Sequence, residues 1–319
     1  MCTGRGDTLS LNVLFAALPH RWPQYRKQLE AAFAGAGVDC TLVNEIDDPA
    51  RVDVIVYAPN SGLEDFGPFT NLKAVLNLWA GVEDIVDNTT LQVPLARMVD
   101  PGLTQGMIEW VTAHVLRHHL EIDLDITCPP GDWRYRVPKL ASQQRVGILG
   151  LGSLGAACAD ALVSLGFDVA GWSRTAHDAS HFPAFHGSDG LEQLIQRSDI
   201  LVLLLPLTEA TSDLIDAERL ALLPKGAVLL NPGRGGLVDD AALLEALESG
   251  QVGHATLDTF RVEPLPPDHP FWTHPRVTVT PHIASATRPE TASRVIAENV
   301  RRVAMGAPLL HLVDRGLGY

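Results

Sequence analysis

Three side chains of complementary chemistry each follow an apolar run in the second half of the chain. Ala227-Val228-Leu229-Leu230 breaks at Asn231-Pro232, and Arg234 then sits among Gly233, Gly235 and Gly236. Glycines let the backbone turn and leave no side chains to crowd a neighbour. A planar guanidinium in such a turn matches a carboxylate or a 2-oxo acid. A second run, from His254, ends at Asp258, with Glu263 in the proline-containing loop beyond. A third, Val277-Thr278-Val279-Thr280-Pro281, puts His282 just past a strand end. Histidine is the usual proton donor near neutral pH, and a buried carboxylate beside it favours the imidazolium. Three strand ends of one sheet would therefore present the means to pin an oxo acid and protonate its carbonyl oxygen.

Such a reduction needs a hydride source. Arg145-Val146-Gly147-Ile148-Leu149 reads as a buried strand leading into Gly150-Leu151-Gly152-Ser153-Leu154-Gly155 and then a helix. In this G-x-G-x-x-G, Gly150 makes the tight turn, Gly152 lets backbone amides approach a pyrophosphate, and Gly155 lets the helix pack on the strand. The helix N-terminus adds partial positive charge. The next strand, Phe167 to Trp172, ends in Ser173-Arg174-Thr175, where an NAD enzyme usually places Asp or Glu for the ribose hydroxyls. Asp168 lies at that strand's start, on the wrong side. A guanidinium pairs with a 2′-phosphate that a carboxylate would repel. NADPH is expected over NADH, with Arg174 as main reader and Ser173 and Thr175 assisting. NADH stays possible, with Arg174 then stacked on adenine.

The elements that must hold these groups alternate along the chain. Strands are expected at 12–16, 52–57 and 74–78, with a helix over 22–36 ended by Gly37. Asp100-Pro101 is a helix-start signal, and an amphipathic run continues to about Leu120. CPPGDWRYRVPKL, residues 128–140, is rich in proline, aromatic and basic side chains and reads as an extended arm or linker. Alternation restarts at Arg145 and runs to about Pro281, and a last helix is expected from about Pro289 to Met305. Strands alternating with helices predict an α/β chain of two nucleotide-fold-like, parallel-sheet domains, with the long helix crossing between them.

Composition sets outer bounds. The 319 residues, 46% of them apolar, suffice for two domains of ordinary size. A formal net charge of −14 argues against nucleic acid or an anionic membrane as partner. Cys2, Cys40, Cys128 and Cys158 lack paired spacing, which fits reduced thiols rather than disulfides or zinc. No apolar run approaches the roughly 20 residues of a membrane span, and the polar N-terminus is unlike a signal peptide. A cytoplasmic setting is expected. His114 and His118 have the i, i+4 spacing of metal ligands, yet no acidic motif accompanies them. They and His119 read as helix-face or interface residues, and no metal is expected.

The chain resembles the D-isomer-specific 2-hydroxyacid dehydrogenases along nearly its whole length. The motifs are LWAGVED (78–84), GILGLGSLG, LLLPLTEAT (203–211), NPGRGGLVDD, LDTFRVEPLP (257–266) and TPHIASAT (280–287). MVDPG, LRHH, Trp79 and the Trp-Ser-Arg cofactor signature point within it to the glyoxylate/hydroxypyruvate reductase A group. The resemblance implies two Rossmann-like/flavodoxin-like domains around an interdomain cleft: residues 1–98 with 288–319 for substrate, and 99–287 for the dinucleotide. It implies that Arg234 holds the substrate carboxylate and carbonyl, that His282 is the acid, and that Glu263 orients it. Main-chain amides of Trp79, Ala80, Gly81 and Val82 would also grip the carboxylate. Trp79 is open to two readings, a wall that shrinks the pocket or ordinary packing. Leu205, Pro206, Leu207, Thr211, Pro232 and Gly233 would line the cofactor, and Asp258 would lie near the nicotinamide carboxamide. The long helix and the Trp133-Arg134-Tyr135 arm resemble the family's homodimer interface. Asp100-Pro101 and Met107-Ile108-Glu109 depart from the Asn and Val-Ala-Glu common in the family.

The expected activity is NADPH-dependent reduction of glyoxylate to glycolate or of hydroxypyruvate to D-glycerate. Two rivals stand beside it: reduction of a larger 2-oxo acid, and a dinucleotide-sensing binding protein on the same fold.

Overall fold

Val54-Ile55-Val56-Tyr57 and Ala74-Val75-Leu76-Asn77 are buried at every residue, the pattern of parallel strands covered on both faces. The computed structural model describes residues 10–176 and 181–319. Cys2 and most of the polar N-terminal stretch lie outside the described residues. In chain order the elements are β1 (Leu11–Ala16), α1 (Trp22–Gly35), β2 (Cys40–Val43), β3 (Val54–Tyr57), β4 (Ala74–Asn77), β5 (Leu95–Ala96) and α2 (Pro101–His119). Then come α3 (Ile122–Ile126), β6 (Arg145–Leu149), α4 (Ser153–Ser164), β7 (Asp168–Ser173), β8 (Ala184–His186), α5 (Gly187–Arg197) and β9 (Ile200–Leu203). The chain closes with α6 (Ala217–Leu222), β10 (Ala227–Asn231), α7 (Asp240–Ser249), β11 (Val252–Leu257), β12 (Val277–Val279) and α8 (Pro289–Ala304).

Two units result: Met1–Leu103 with Thr287–Tyr319, and Thr104–Ala286. In the first, five strands lie in the order β2-β1-β3-β4-β5, all parallel. One layer packs Val13, Phe15 and Leu76 against Leu29 of α1 and Ile296 and Val300 of α8. The other face buries Ile55, Val75 and Leu95 with Val82, Ile85 and Val313. Asp100 starts α2 by accepting from the amides of Leu103 (3.0 Å) and Gly102 (3.3 Å). An aspartate here caps the helix, as an asparagine also would; capping does not explain the choice of aspartate. β2 and β5 were not expected: β2 is only half-buried and β5 spans two residues, so neither leaves a clear apolar run.

The second unit is a seven-stranded parallel sheet, β12-β11-β10-β9-β6-β7-β8. The order reverses between β6 and β9, and in such sheets ligands bind beyond the carboxyl ends at the reversal. Residues 128–140 are irregular apart from a turn, and Trp133 and Tyr135 are exposed. No helix of the described residues is long and apolar enough to cross a membrane.

The α2 histidines pack inside this unit. His119 meets the Phe167 ring edge-on at 5.1 Å, and His114 lies against Trp110 at 4.3 Å. His118 Nε2 is 2.9 Å from Thr256 Oγ1, and its ring lies 4.8 Å from that of His254. Burial and then the His254 charge push His118 down to about 3, and burial followed by Arg117 pushes His254 down to about 4. Both folded-state values are depressed below the ordinary histidine value of 6.5. The unfolded chain therefore binds more protons in that window, and stability falls as pH drops through 6.5 towards those values. The expected loss is on the order of a few kcal/mol. Melting temperature against pH checks it: His118→Gln/His254→Gln should flatten the slope between about pH 6 and 4. An unchanged slope would assign acid lability elsewhere.

Candidate active site

The dinucleotide turn is built as its glycines require. Gly150 has φ 104°, and a Cβ there would come within 2.4 Å of Leu204 O. A Cβ on Gly155 would lie 1.8 Å from Gly150 O, so α4 could not seat on β6. At Gly152 a Cβ would meet nothing within 4 Å. Gly152 is the N-cap of α4 and offers no side-chain cap. The first amides of α4, at Ser153, Leu154 and Gly155, therefore face outward as donors for a phosphate. The chain's own residues fit a dinucleotide at this place.

Around this turn the expected cofactor residues gather on one sheet edge. Ser173 Oγ donates to Thr175 O (2.7 Å), bending the chain past β7, and Arg174 follows exposed. Asp168 stands at the opposite end of β7, bound to Arg197 at 2.7 Å. Beyond β9, Thr211 Oγ1 donates to Pro206 O (2.7 Å) and accepts from Thr208 N (2.8 Å), which folds Leu205-Pro206-Leu207 into a loop. Leu207 covers Gly236, where a Cβ would sit 3.0 Å from its methyl carbons. Pro232 and Gly233 are buried, and a Cβ on Gly233 would come within 2.8 Å of Leu203 O.

The glycines flanking Arg234 serve a close approach of two loops. A Cβ on Gly235 would lie 2.1 Å from Phe260 C, so glycine lets the Arg234 turn press on the loop that carries Glu263. Asn231 Nδ2 donates to Arg234 O (2.9 Å), and Asn231 Oδ1 accepts from Gly233 N (3.2 Å). Asn231 thus sets the turn, a job readable in Asn-Pro-Gly after an apolar run.

Glu263 Oε2 is 2.7 Å from His282 Nδ1, and Glu263 Oε1 accepts from Phe260 N (2.9 Å). Burial pushes the Glu263 carboxyl up, but the bonds from His282 and Phe260 and the Arg234 charge outweigh it and hold it below the usual range. Glu263 is therefore ionised near neutral pH. The pair is less buried than expected: the side chains of His282 and Glu263 are 47% and 34% exposed. Both stand on loops beyond strand ends, where one side is open. Among the described residues, no protein group bonds His282 Nε2.

Asp258 braces a turn from within the unit. It is fully buried, and it accepts from Thr280 Oγ1 (2.6 Å), Ile283 N (2.9 Å) and Ala284 N (2.9 Å). With His282 N donating to Asp258 O (2.9 Å), it braces the turn that sets His282 at φ 53°. The aspartate positions the histidine from beneath.

In the first unit, Asn77 shapes the loop Trp79-Ala80-Gly81-Val82. Its Nδ2 donates to Trp79 O (3.1 Å) and Gly81 O (2.7 Å). In a trans peptide the carbonyl and the following N–H point opposite ways, so this turns the amides of Ala80 and Val82 away from Asn77. Among the described residues, the N–H groups of Trp79, Ala80, Gly81 and Val82 find no acceptor. Trp79 is 38% exposed, and Val82 is buried. Asn77 was not singled out from the sequence; a buried asparagine closing a strand was the available sign.

A G-x-G-x-x-G cradle and an Arg, Glu, His set at the carboxyl ends of one parallel sheet define a dinucleotide-dependent oxidoreductase. The model of the D-isomer specific 2-hydroxyacid dehydrogenase NAD-binding domain matches residues 112–284. A glyoxylate/hydroxypyruvate reductase A of Serratia proteamaculans is 37% identical over 281 residues, 86% of this chain and 89% of its own. A D-isomer specific 2-hydroxyacid dehydrogenase of Xanthobacter autotrophicus, solved with NADPH and MES, is 42% identical. It superposes with a TM-score of 0.90, covering 97% of this chain and 100% of its own. An NADPH-dependent glyoxylate/hydroxypyruvate reductase of Sinorhizobium meliloti, solved with NADP and sulfate, gives 33% and 0.84 over 97% and 100%. The chain belongs to the D-isomer specific 2-hydroxyacid dehydrogenase family.

Proposed function

We propose that this protein reduces a small 2-oxo acid, glyoxylate or hydroxypyruvate, with NADPH as reductant. The observation that carries the reading is the 2.7 Å contact between His282 Nδ1 and ionised Glu263. A carboxylate at Nδ1 fixes the ring and leaves Nε2 to carry a proton outward. The reduced nicotinamide, when bound, supplies the hydride. His282 Nε2 delivers its proton to the carbonyl oxygen, and Glu263 stabilises the charged ring before transfer. Arg234 holds the substrate carboxylate through two parallel N–H groups. The amides of residues 79–82 are proposed as further donors to it. The exposed arm bearing Trp133 and Tyr135 is proposed to pair two copies into a homodimer, in keeping with the family resemblance.

The NADPH preference rests on Arg174 at the end of β7, with Asp168 remote and bound to Arg197. The relatives from Xanthobacter and Sinorhizobium were solved with NADPH and NADP. Initial rates with NADPH and NADH, over a panel from glyoxylate to phenylpyruvate, test both halves. Arg174→Asp is expected to raise KM for NADPH roughly 10- to 100-fold, the worth of one or two charge-assisted bonds, and to spare NADH. Equal changes for both cofactors would remove Arg174 from cofactor choice. Absence of NADPH oxidation with every 2-oxo acid would favour a dinucleotide sensor.

A further inference from the structure

A second arginine stands at the carboxyl end of the first unit's sheet. Arg97 follows β5 directly, and its N–H donates to His311 O (3.0 Å). The next residue, Met98, donates to Trp79 O (3.0 Å), so this segment is tied to the open-amide loop. Ala96 packs in the layer of α1 and α8, whereas Leu95 packs in the layer that holds Val82. Strand alternation puts Arg97 on the Val82 side. The β4–β5 register, Leu76 opposite Ala96, then sets Asn77 beside it.

The arginine is half-buried and, among the described residues, its guanidinium makes no ion pair and no hydrogen bond. Burial lowers its pKa with no carboxylate acting against it, and the nearby titratable group is His311, itself lowered by burial and then by Arg97. Beside it, Asn77 Oδ1 is buried without a partner. A partly dehydrated cation with no counter-charge favours an anion that can reach it. Unanswered amides and an unanswered guanidinium at one strand edge together ask for an oxyanion.

We infer that Arg97, with the unbonded amides of the loop Trp79-Ala80-Gly81-Val82, receives the carboxylate of the 2-oxo acid in the first unit. This rests on the proposed reductase activity. It makes Arg97 a substrate-binding residue.

The test compares the parent with Arg97→Met, which keeps the length and removes the charge, and Arg97→Lys, which keeps the charge. In Arg97→Met, KM for glyoxylate should rise about tenfold or more, with kcat within about twofold and NADPH affinity unchanged. Arg97→Lys should recover part of the loss. Oxamate, an unreactive isostere of glyoxylate, should raise the parent's melting temperature and leave that of Arg97→Met unmoved. Removing an unpaired, half-buried charge should hold or raise the melting temperature without ligand. An arginine that only stabilises the fold would lower it and leave KM alone, and that result overturns the inference. So does an unchanged oxamate shift. A parent inactive on every 2-oxo acid, yet shifted by oxamate through Arg97, would sink the reductase reading and leave the anion site standing.

Discussion

Exchange of His282 for glutamine is expected to cut kcat with glyoxylate by about a thousandfold, the range general acid catalysis contributes, while NADPH still binds. Glutamine keeps a hydrogen-bond donor near Glu263 but cannot pass a proton to the carbonyl oxygen. The turn beneath stays braced, because Asp258 holds it through Thr280, Ile283 and Ala284 rather than through the imidazole. Loss of rate without loss of melting temperature or NADPH affinity is therefore the expected signature. The readouts are single-turnover reduction followed at the NADPH absorbance band and fluorescence titration of the cofactor. A variant that reduced glyoxylate at the parent rate would place the proton donor elsewhere. One that lost NADPH binding in step with rate would make His282 a cofactor contact first.

Much of this site was legible because its chemistry sits in turns, and turns carry local signals. Gly150, Gly152 and Gly155 could be read individually, and each meets the backbone or the space that its spacing implied. Arg234, Glu263 and His282 could be placed at strand ends because the apolar runs before them are short and end abruptly. What stayed hidden depends on contacts distant in sequence. Asp258 lies 22 residues before Thr280 and 26 before Ala284; nothing local shows that its carboxylate is spent on that turn. Asn77 bonds carbonyls two and four residues away, but the burial that makes those bonds decisive comes from the neighbouring strands. Arg97 carries no local sign of its own, since the absence of a partner is a property of the folded neighbourhood. The short strands β2, β5 and β8 escaped because β2 and β8 are not fully buried apolar runs and β5 spans only two residues.

The same distinction decides what should happen when Arg234 is replaced. Arg234→Met is expected to lower kcat/KM for glyoxylate by about 10²- to 10⁴-fold, the worth of two charge-assisted hydrogen bonds. Arg234→Lys should recover only part of that, because an ammonium cannot present two parallel donors to a carboxylate. The backbone at this position is extended, with φ −145°, so neither substitution strains the turn. Asn231 still holds residue 234 through its carbonyl, and Gly235 still allows the close approach to Phe260. The loss should therefore appear in substrate handling and not in cofactor affinity. A secondary effect is expected at the acid: the Arg234 charge helps keep the Glu263 carboxyl low, so removing it raises that value. The low-pH limb of kcat/KM should then move to higher pH in Arg234→Met and stay near the parent's in Arg234→Lys, which keeps the charge. If lysine restored full kcat/KM, charge alone would suffice and the paired geometry would be irrelevant. If both variants matched the parent, the carboxylate would be held by other groups altogether.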